Sequence, residues 1–212
     1  MSQTNPTVAV ADYGIGNLGS LVNALEYVGA DVVVTSQGQP LLAADGMILP
    51  GNGAFGASKK AMEQLSIPRW VGQRVAGGRP VLGICVGHQY LFDNSEEFGK
   101  HDGMGEWPGT VKKLPTDAVP HIGWSEVRPA ADSRLFAGLE NERYYFSHSY
   151  AVLDWEFDQR IESMVPPQVS WSHHDGDFIA AVENGPLTGV QFHPELSGRA
   201  GLAVLQNWIG TF

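Results

Sequence analysis

The sequence predicts an α/β fold: a mostly parallel sheet with helices on both faces and an antiparallel extension in the C-terminal half. Two observations carry this expectation. Short apolar runs without polar alternation take turns with amphipathic stretches up to residue 92, the pattern of strands buried on both faces between helices. After Glu97 the texture changes: Gly, Pro and Trp become frequent and the apolar segments read as antiparallel strands.

The elements follow in order. Val8-Ala9-Val10-Ala11 is an apolar run that stops at Asp12, and Gly14 and Gly16 precede the amphipathic stretch 18–28, which gives strand, tight turn and helix. Gly29 ends that helix, Val32-Val33-Val34 is a second strand, and Met47-Ile48-Leu49 a third before the turn Pro50-Gly51-Asn52-Gly53. Residues 54–65 and 70–76 have helical spacing. Pro80-Val81-Leu82-Gly83-Ile84 is a further buried strand running straight into Cys85, and helical spacing resumes over 86–92. Residues 144–152 and 178–183 read as antiparallel strands and 200–209 as a closing helix. There is no repeat, low-complexity tract or linker, so the later strands are expected to extend the same sheet. That makes one domain over residues 1–212, with its core over about 7–210.

Composition excludes some functions. Thirteen Lys and Arg against 23 Asp and Glu give a net charge of -10, which repels phosphate backbones and anionic lipid, so neither nucleic acid nor membrane is an expected partner. A single cysteine permits no intrachain disulfide, residues 1–7 are polar without an export-type apolar core, and no apolar run reaches the length of a membrane span. A cytoplasmic location is the expectation.

Gly83-Ile84-Cys85-Val86-Gly87 places that cysteine between a buried strand and a helix with glycines two before and two after, the spacing of a nucleophile elbow. The turn leaves no room for Cβ atoms at the flanks, and the helix behind it aims N–H groups and its positive dipole end at the sulfur, which favours the thiolate. A small buried hydrophobe is the bland reading of a lone cysteine. A packing cysteine, however, needs neither glycine.

A thiolate nucleophile needs a base and a group to orient it. Val190-Gln191-Phe192-His193-Pro194-Glu195 ends a predicted strand with a histidine and a carboxylate two apart; in extended chain both point to the same side, and the intervening proline stiffens that geometry. His193 can then take the Cys85 proton and Glu195 can hold the imidazolium. Taken singly, His193 reads equally as a satisfied histidine and Glu195 as a solvated charge. His173-His174-Asp175 contains metal-ligating residue types, but adjacent histidines on a strand point to opposite faces, so it reads as a solvated turn before Gly176. No metal is expected.

Together these residues resemble the class I glutamine amidotransferases, a family with a Cys-His-Glu triad on a flavodoxin-like sheet. Gly83-Ile84-Cys85-Val86-Gly87-His88-Gln89 is similar to its nucleophile motif, and Gln191-Phe192-His193-Pro194-Glu195 to the segment with the other two triad members. Four further segments resemble one branch, the glutaminase subunits that feed a cyclase. They are Asp12-Tyr13-Gly14-Ile15-Gly16-Asn17-Leu18, Leu49-Pro50-Gly51-Asn52-Gly53-Ala54-Phe55, Pro120-His121-Ile122-Gly123-Trp124, and Tyr145-Phe146-Ser147-His148-Ser149-Tyr150.

The resemblance implies hydrolysis of glutamine without a cofactor, with ammonia passing to a cyclase subunit of (β/α)8 fold in a heterodimer. It implies oxyanion donors at the N–H of Val86 and in the turn at Asn52 and Gly53, with the glycines around Asn52 letting that peptide flip. It implies a grip on substrate by Gly53, Gln89, Glu97, Ser149 and Tyr150, where a carboxylate suits an ammonium and an amide or hydroxyl suits the α-carboxylate. Exposed helix polarity is the bland reading of Gln89 and Glu97, and core packing that of Tyr150. Asn17, Trp124, Tyr145 and Leu196 are implied at the partner face, with aromatic packing inside the fold an equal reading of Trp124 and Tyr145. Three residues depart from the family pattern: Asn52 stands where a small apolar residue is more usual, His88 where Met is frequent, and Leu196 where a Lys commonly follows the glutamate. Three alternatives remain on the sequence alone: the amidotransferase subunit of another synthetase, a noncatalytic amidotransferase-like binding module, and a stand-alone cysteine hydrolase.

Overall fold

Thr7–Ala11 (β1) is extended, and its alternate residues serve two cores: Val8 and Val10 pack on one face of the sheet, Ala9 and Ala11 on the other, all four with no exposed surface. A strand buried on both faces has no polar position to alternate, which is why the run is apolar throughout. The computed structural model describes residues 5–16, 18–155 and 166–212; the expectation for Asn17 lies outside the described residues.

The first half continues through α1 (Gly19–Tyr27), β2 (Asp31–Thr35), α2 (Gly38–Ala43), β3 (Gly46–Leu49), α3 (Phe55–Gln64), α4 (Ile67–Ala76) and β4 (Val81–Ile84). The second half contains α5 (Val86–Gln89), β5 (Phe92–Ser95), β6 (His101–Asp102), β7 (Trp107–Lys113), β8 (His121–Arg128), β9 (Arg143–His148) and β10 (Tyr150–Val152). It closes with β11 (Gln168–His173), β12 (Asp177–Asn184), β13 (Leu187–Val190), a 3-10 turn at Pro194–Leu196 and α6 (Gly198–Ile209).

Nine strands form one sheet in the order β2-β1-β3-β4-β13-β12-β11-β8-β9. The first five pair in parallel and the last four add antiparallel. This is the predicted class, a flavodoxin-like parallel sheet with an antiparallel extension. The carboxyl ends of the central pair β4 and β13 lead directly into Cys85 and towards His193.

Four expectations are corrected. The later strands do not all extend one sheet: β10, β7, β5 and β6 form a second, four-stranded sheet. Residues 144–152 are two strands, because β9 pairs with β8 in the large sheet while Tyr150 pairs with Lys113 in the small one, and the chain crosses between sheets at Ser149. Helical spacing over 86–92 yields only the one turn of α5. The chain leaves the helix because Phe92–Ser95 pairs with β7, and the carbonyls of Tyr90, Leu91 and Phe92 accept N–H groups of Met104, Glu106 and Gly105 from the returning loop. Lastly, β2 is an edge strand with Val33 and Val34 partly exposed, not one covered on both faces, and the short helix α2 was not anticipated.

Candidate active site

The elbow is built by lack of space. A Cβ on Gly87 would stand 2.1 Å from the Leu49 carbonyl oxygen, and one on Gly83 would stand 2.7 Å from the Gly87 oxygen. Between them Cys85 takes φ 52, ψ -110, a conformation that L side chains rarely adopt and that costs of order 1–3 kcal/mol. Its N–H donates to Val190 of the neighbouring strand at 2.8 Å, which pins the strained residue to the sheet. Gly51 is required for close approach as well: a Cβ there would meet the N atoms of Gly87 at 2.3 Å and Val86 at 2.6 Å. The 51–53 turn therefore lies against the start of α5, and of its two glycines only Gly53 uses the left-handed region, at φ +85. Asn52 turns its side chain towards Gly16, where an added Cβ would be 2.7 Å from the amide nitrogen.

His193 follows β13, and its Nδ1 donates to Glu195 at 2.8 Å, with the two side chains only 5% and 10% exposed. The contact arises by a different route from the one anticipated. The chain is extended at His193 but turns into the 3-10 segment Pro194–Leu196, and that turn brings the carboxylate back to the ring. With Nδ1–H committed to Glu195, Nε2 is the nitrogen left for Cys85. Burial opposes the imidazolium, but the charge of Cys85 and then Glu195 outweigh it, and the His193 pKa is raised to about 10.

A cleft of about 140 Å³ opens at this point, lined by Asn52, Gly53, Cys85, Val86, Gln89, Glu97 and the stretch 147–150. That is below the ~300–1,000 Å³ of pockets for drug-sized ligands and suits a molecule of amino-acid size. A larger cleft of about 650 Å³ lies at the opposite end of the sheet, where β4 and β13 begin; it is lined by residues such as Gly78, Arg134 and Pro186 and contains neither cysteine nor histidine. Ligands of open α/β sheets bind at the carboxyl ends of the strands, which favours the smaller cleft.

Glu97 reaches across from the small sheet, and its Oε2 accepts the Phe55 N–H at the start of α3 at 2.7 Å. Gln89 is buried, and both N–H bonds of its amide are engaged, with the Tyr150 carbonyl at 2.8 Å and Gln191 Oε1 at 3.0 Å. Only its Oε1 remains for a ligand. An acceptor matches an ammonium, so Gln89 sorts with Glu97 and not with the groups suited to a carboxylate.

Three residues missed on the sequence border the site. Gln191 sends Nε2 to Cys85 Sγ at 3.6 Å, and His148 lines the cleft and donates from Nδ1 to the Tyr150 carbonyl at 3.0 Å. The buried Tyr13 phenol is held neutral first by burial and then by the charge of Cys85. A usable signal existed for Gln191: it lies two residues before His193 in the same short segment.

Comparison with known proteins decides the family. A model of the glutamine amidotransferase class-I family matches residues 9–210. The chain belongs to the class-I glutamine amidotransferases. It is 53% identical over 204 residues to the imidazole glycerol phosphate synthase subunit HisH of Renibacterium salmoninarum, covering 96% of this chain and 93% of that protein. The subunit of the same name from Corynebacterium diphtheriae is 52% identical over 205 residues, covering 95% and 97%. Among solved structures, PurLQS from Thermotoga maritima superposes with a TM-score of 0.77 at 20% identity, covering 98% of this chain and 99% of that one, and a Trypanosoma brucei CTPS glutaminase domain with bound acivicin gives 0.64 at 17%, covering 98% and 94%. At such identities the likeness is one of fold.

The amidotransferase presents an apolar surface beside this site. Trp124 packs edge-on against Tyr145, with ring centroids 6.1 Å apart, across the β8–β9 ladder. Trp124 is 46% exposed and Leu196 45%, on the turn next to β9. Packing inside the fold is therefore not what Trp124 does. His173 is exposed and pairs with Asp177, whereas His174 stacks on His121 at 4.2 Å, so the second half of the expected solvated turn is packed. His88 points away from the site, into Phe92 and Trp107. No described helix of the amidotransferase is long and apolar enough to cross a membrane.

Proposed function

We propose that this chain is the glutaminase subunit of an imidazole glycerol phosphate synthase, cleaving glutamine at Cys85 and passing ammonia to a cyclase subunit of (β/α)8 fold in a cytoplasmic heterodimer. The observation that carries the reading is the juxtaposition of Cys85, on a positive-φ elbow, with the buried His193–Glu195 pair.

In this reading the Cys85 thiolate attacks the side-chain carbonyl carbon of glutamine, and the oxyanion is held by the N–H of Val86 and a second N–H from the turn at Asn52 and Gly53. His193, charged at neutral pH and oriented by Glu195, gives its proton to the departing nitrogen, so ammonia leaves and a thioester remains. Water then attacks the thioester; His193 takes its proton, glutamate departs, and the thiolate is restored. Glu97 and Gln89 Oε1 hold the α-ammonium, and the 149–150 segment holds the α-carboxylate. Trp124, Tyr145 and Leu196 form part of the surface for the cyclase, which supports a division of labour in which this acidic chain binds no phosphorylated substrate.

The test is Cys85→Ala in the reconstituted two-subunit enzyme. Glutamine-dependent synthesis is expected to vanish while ammonium salts still support product formation, because the ammonia step belongs to the other subunit. Loss of both activities in a correctly assembled complex would overturn the division.

A further inference from the structure

The carbonyl oxygen of Tyr150 can only accept hydrogen bonds, and this fixes the polarity of everything attached to it. Gln89 must present Nε2 to it at 2.8 Å, and the second N–H of the same nitrogen reaches Gln191 at 3.0 Å, so that atom of Gln191 is the oxygen. The remaining end of Gln191 is an amide nitrogen, and it stands 3.6 Å from Cys85 Sγ, a hydrogen-bonding distance for the larger sulfur atom. Gln191 has no exposed surface, and its backbone N–H is fixed to the Ala180 carbonyl at 2.8 Å. Water therefore offers its side chain no alternative.

We propose that Gln191 is a positioning residue for the nucleophile: its amide, held by Gln89, donates to the Cys85 sulfur, directing it towards the cleft and supporting its negative charge beside His193. This rests on Cys85 being the nucleophile. Gln191 touches the sulfur from the bend after β13 that also delivers His193, so one strand end supplies both the proton-transfer partner and the second donor. The donor is of use at two moments: before attack, when the sulfur is an anion, and when the thioester breaks and the charge returns to it.

The experiment uses the complex with the cyclase for glutamate release and this chain for alkylation of Cys85 by iodoacetamide at neutral pH. Gln191→Leu removes the donor; Gln191→Glu keeps the shape and an oxygen facing Gln89 but aims an acceptor at the sulfur. Both are expected to lower kcat and slow alkylation by about ten- to hundredfold, the size of a hydrogen bond to a charged group, with KM for glutamine changed less than threefold. Circular dichroism and the melting temperature establish that each variant is folded, and whichever of the two folds is sufficient. Wild-type kcat and alkylation in a folded variant, or a change confined to KM, would overturn the proposal. Cys85→Ser, assayed alongside, separates the two ideas: if it still releases glutamate, the assignment of the nucleophile fails, and if it is inactive while the Gln191 variants match wild type, only the role of Gln191 fails.

Discussion

His121 Nδ1 lies 3.1 Å from His148 Nε2, and the direction of the proton between them follows from their other partners. His148 donates from Nδ1 to the Tyr150 carbonyl, so its Nε2 is an acceptor; His121 therefore donates from Nδ1 and accepts from the Ser125 hydroxyl at Nε2, 2.9 Å away. Both rings are neutral in this arrangement. A proton added to His148 would set its Nε2–H against the His121 N–H in the core.

Acid is accordingly expected to destabilise the fold through three buried histidines. Burial, then the neighbouring histidines, press His148 down to about 3 against the favourable Tyr150 carbonyl; burial and then His174 take His121 to about 4; burial alone takes His88 to about 3. All lie below the ordinary value of 6.5, so the unfolded chain binds these protons first: the stability they contribute is complete above pH 6.5 and is lost as the pH falls from there towards 4. Each ring should cost up to about 2 kcal/mol between pH 7 and pH 5, and urea unfolding at the two values measures the sum. His88→Met should remove about one third of the slope. A midpoint independent of pH in this range would refute the neutral assignment.

Glu195→Gln should lower kcat by about a hundredfold or more, the usual contribution of a positioned acid–base group. It also removes one of the influences that raise His193, so the alkaline limb of the rate profile should move to lower pH. A profile that is depressed but not displaced would mean that the carboxylate only orients the ring.

Glu97→Gln should act on KM. The carboxylate holds the Phe55 N–H and faces the cleft, and neutralising it would remove the charged partner proposed for the substrate ammonium. A rise in KM of about tenfold or more with a smaller change in kcat is expected from a charged hydrogen bond. Equal KM values for the two proteins would exclude Glu97 from substrate binding.

Two glycines should respond in opposite directions. Gly87→Ala forces a Cβ to within 2.1 Å of the Leu49 oxygen, backbone that cannot swing aside, and should abolish glutaminase activity with a stability loss of about 1–3 kcal/mol. Gly72, inside α4 with no atom within 4 Å of an added Cβ, should become about 0.5–1 kcal/mol more stable as alanine. Thermal melts of the two variants read the difference directly.

Much of this protein is written locally. The apolar runs at 8–11, 47–49 and 81–84 become buried parallel strands because two-sided burial leaves no polar position in them, and the glycines around Cys85 announce an elbow because only they fit it. The contact between His193 and Glu195 was legible for the same reason: a strand end, a proline and a glutamate lie within one short segment. What the tertiary structure decided involves partners distant in the chain. Residues 144–152 look like one strand until two sheets compete for them, and helical spacing after Cys85 yields to the pairing of β5 with β7. The donor on Cys85 could not be read at all: Gln191 faces the sulfur only because Gln89, 102 positions earlier, and the Tyr150 carbonyl orient its amide. Periodicity and turn chemistry are set between neighbours and survive in the sequence, whereas the polarity of a buried hydrogen-bond chain is set by whichever obligate acceptor the fold brings to its end.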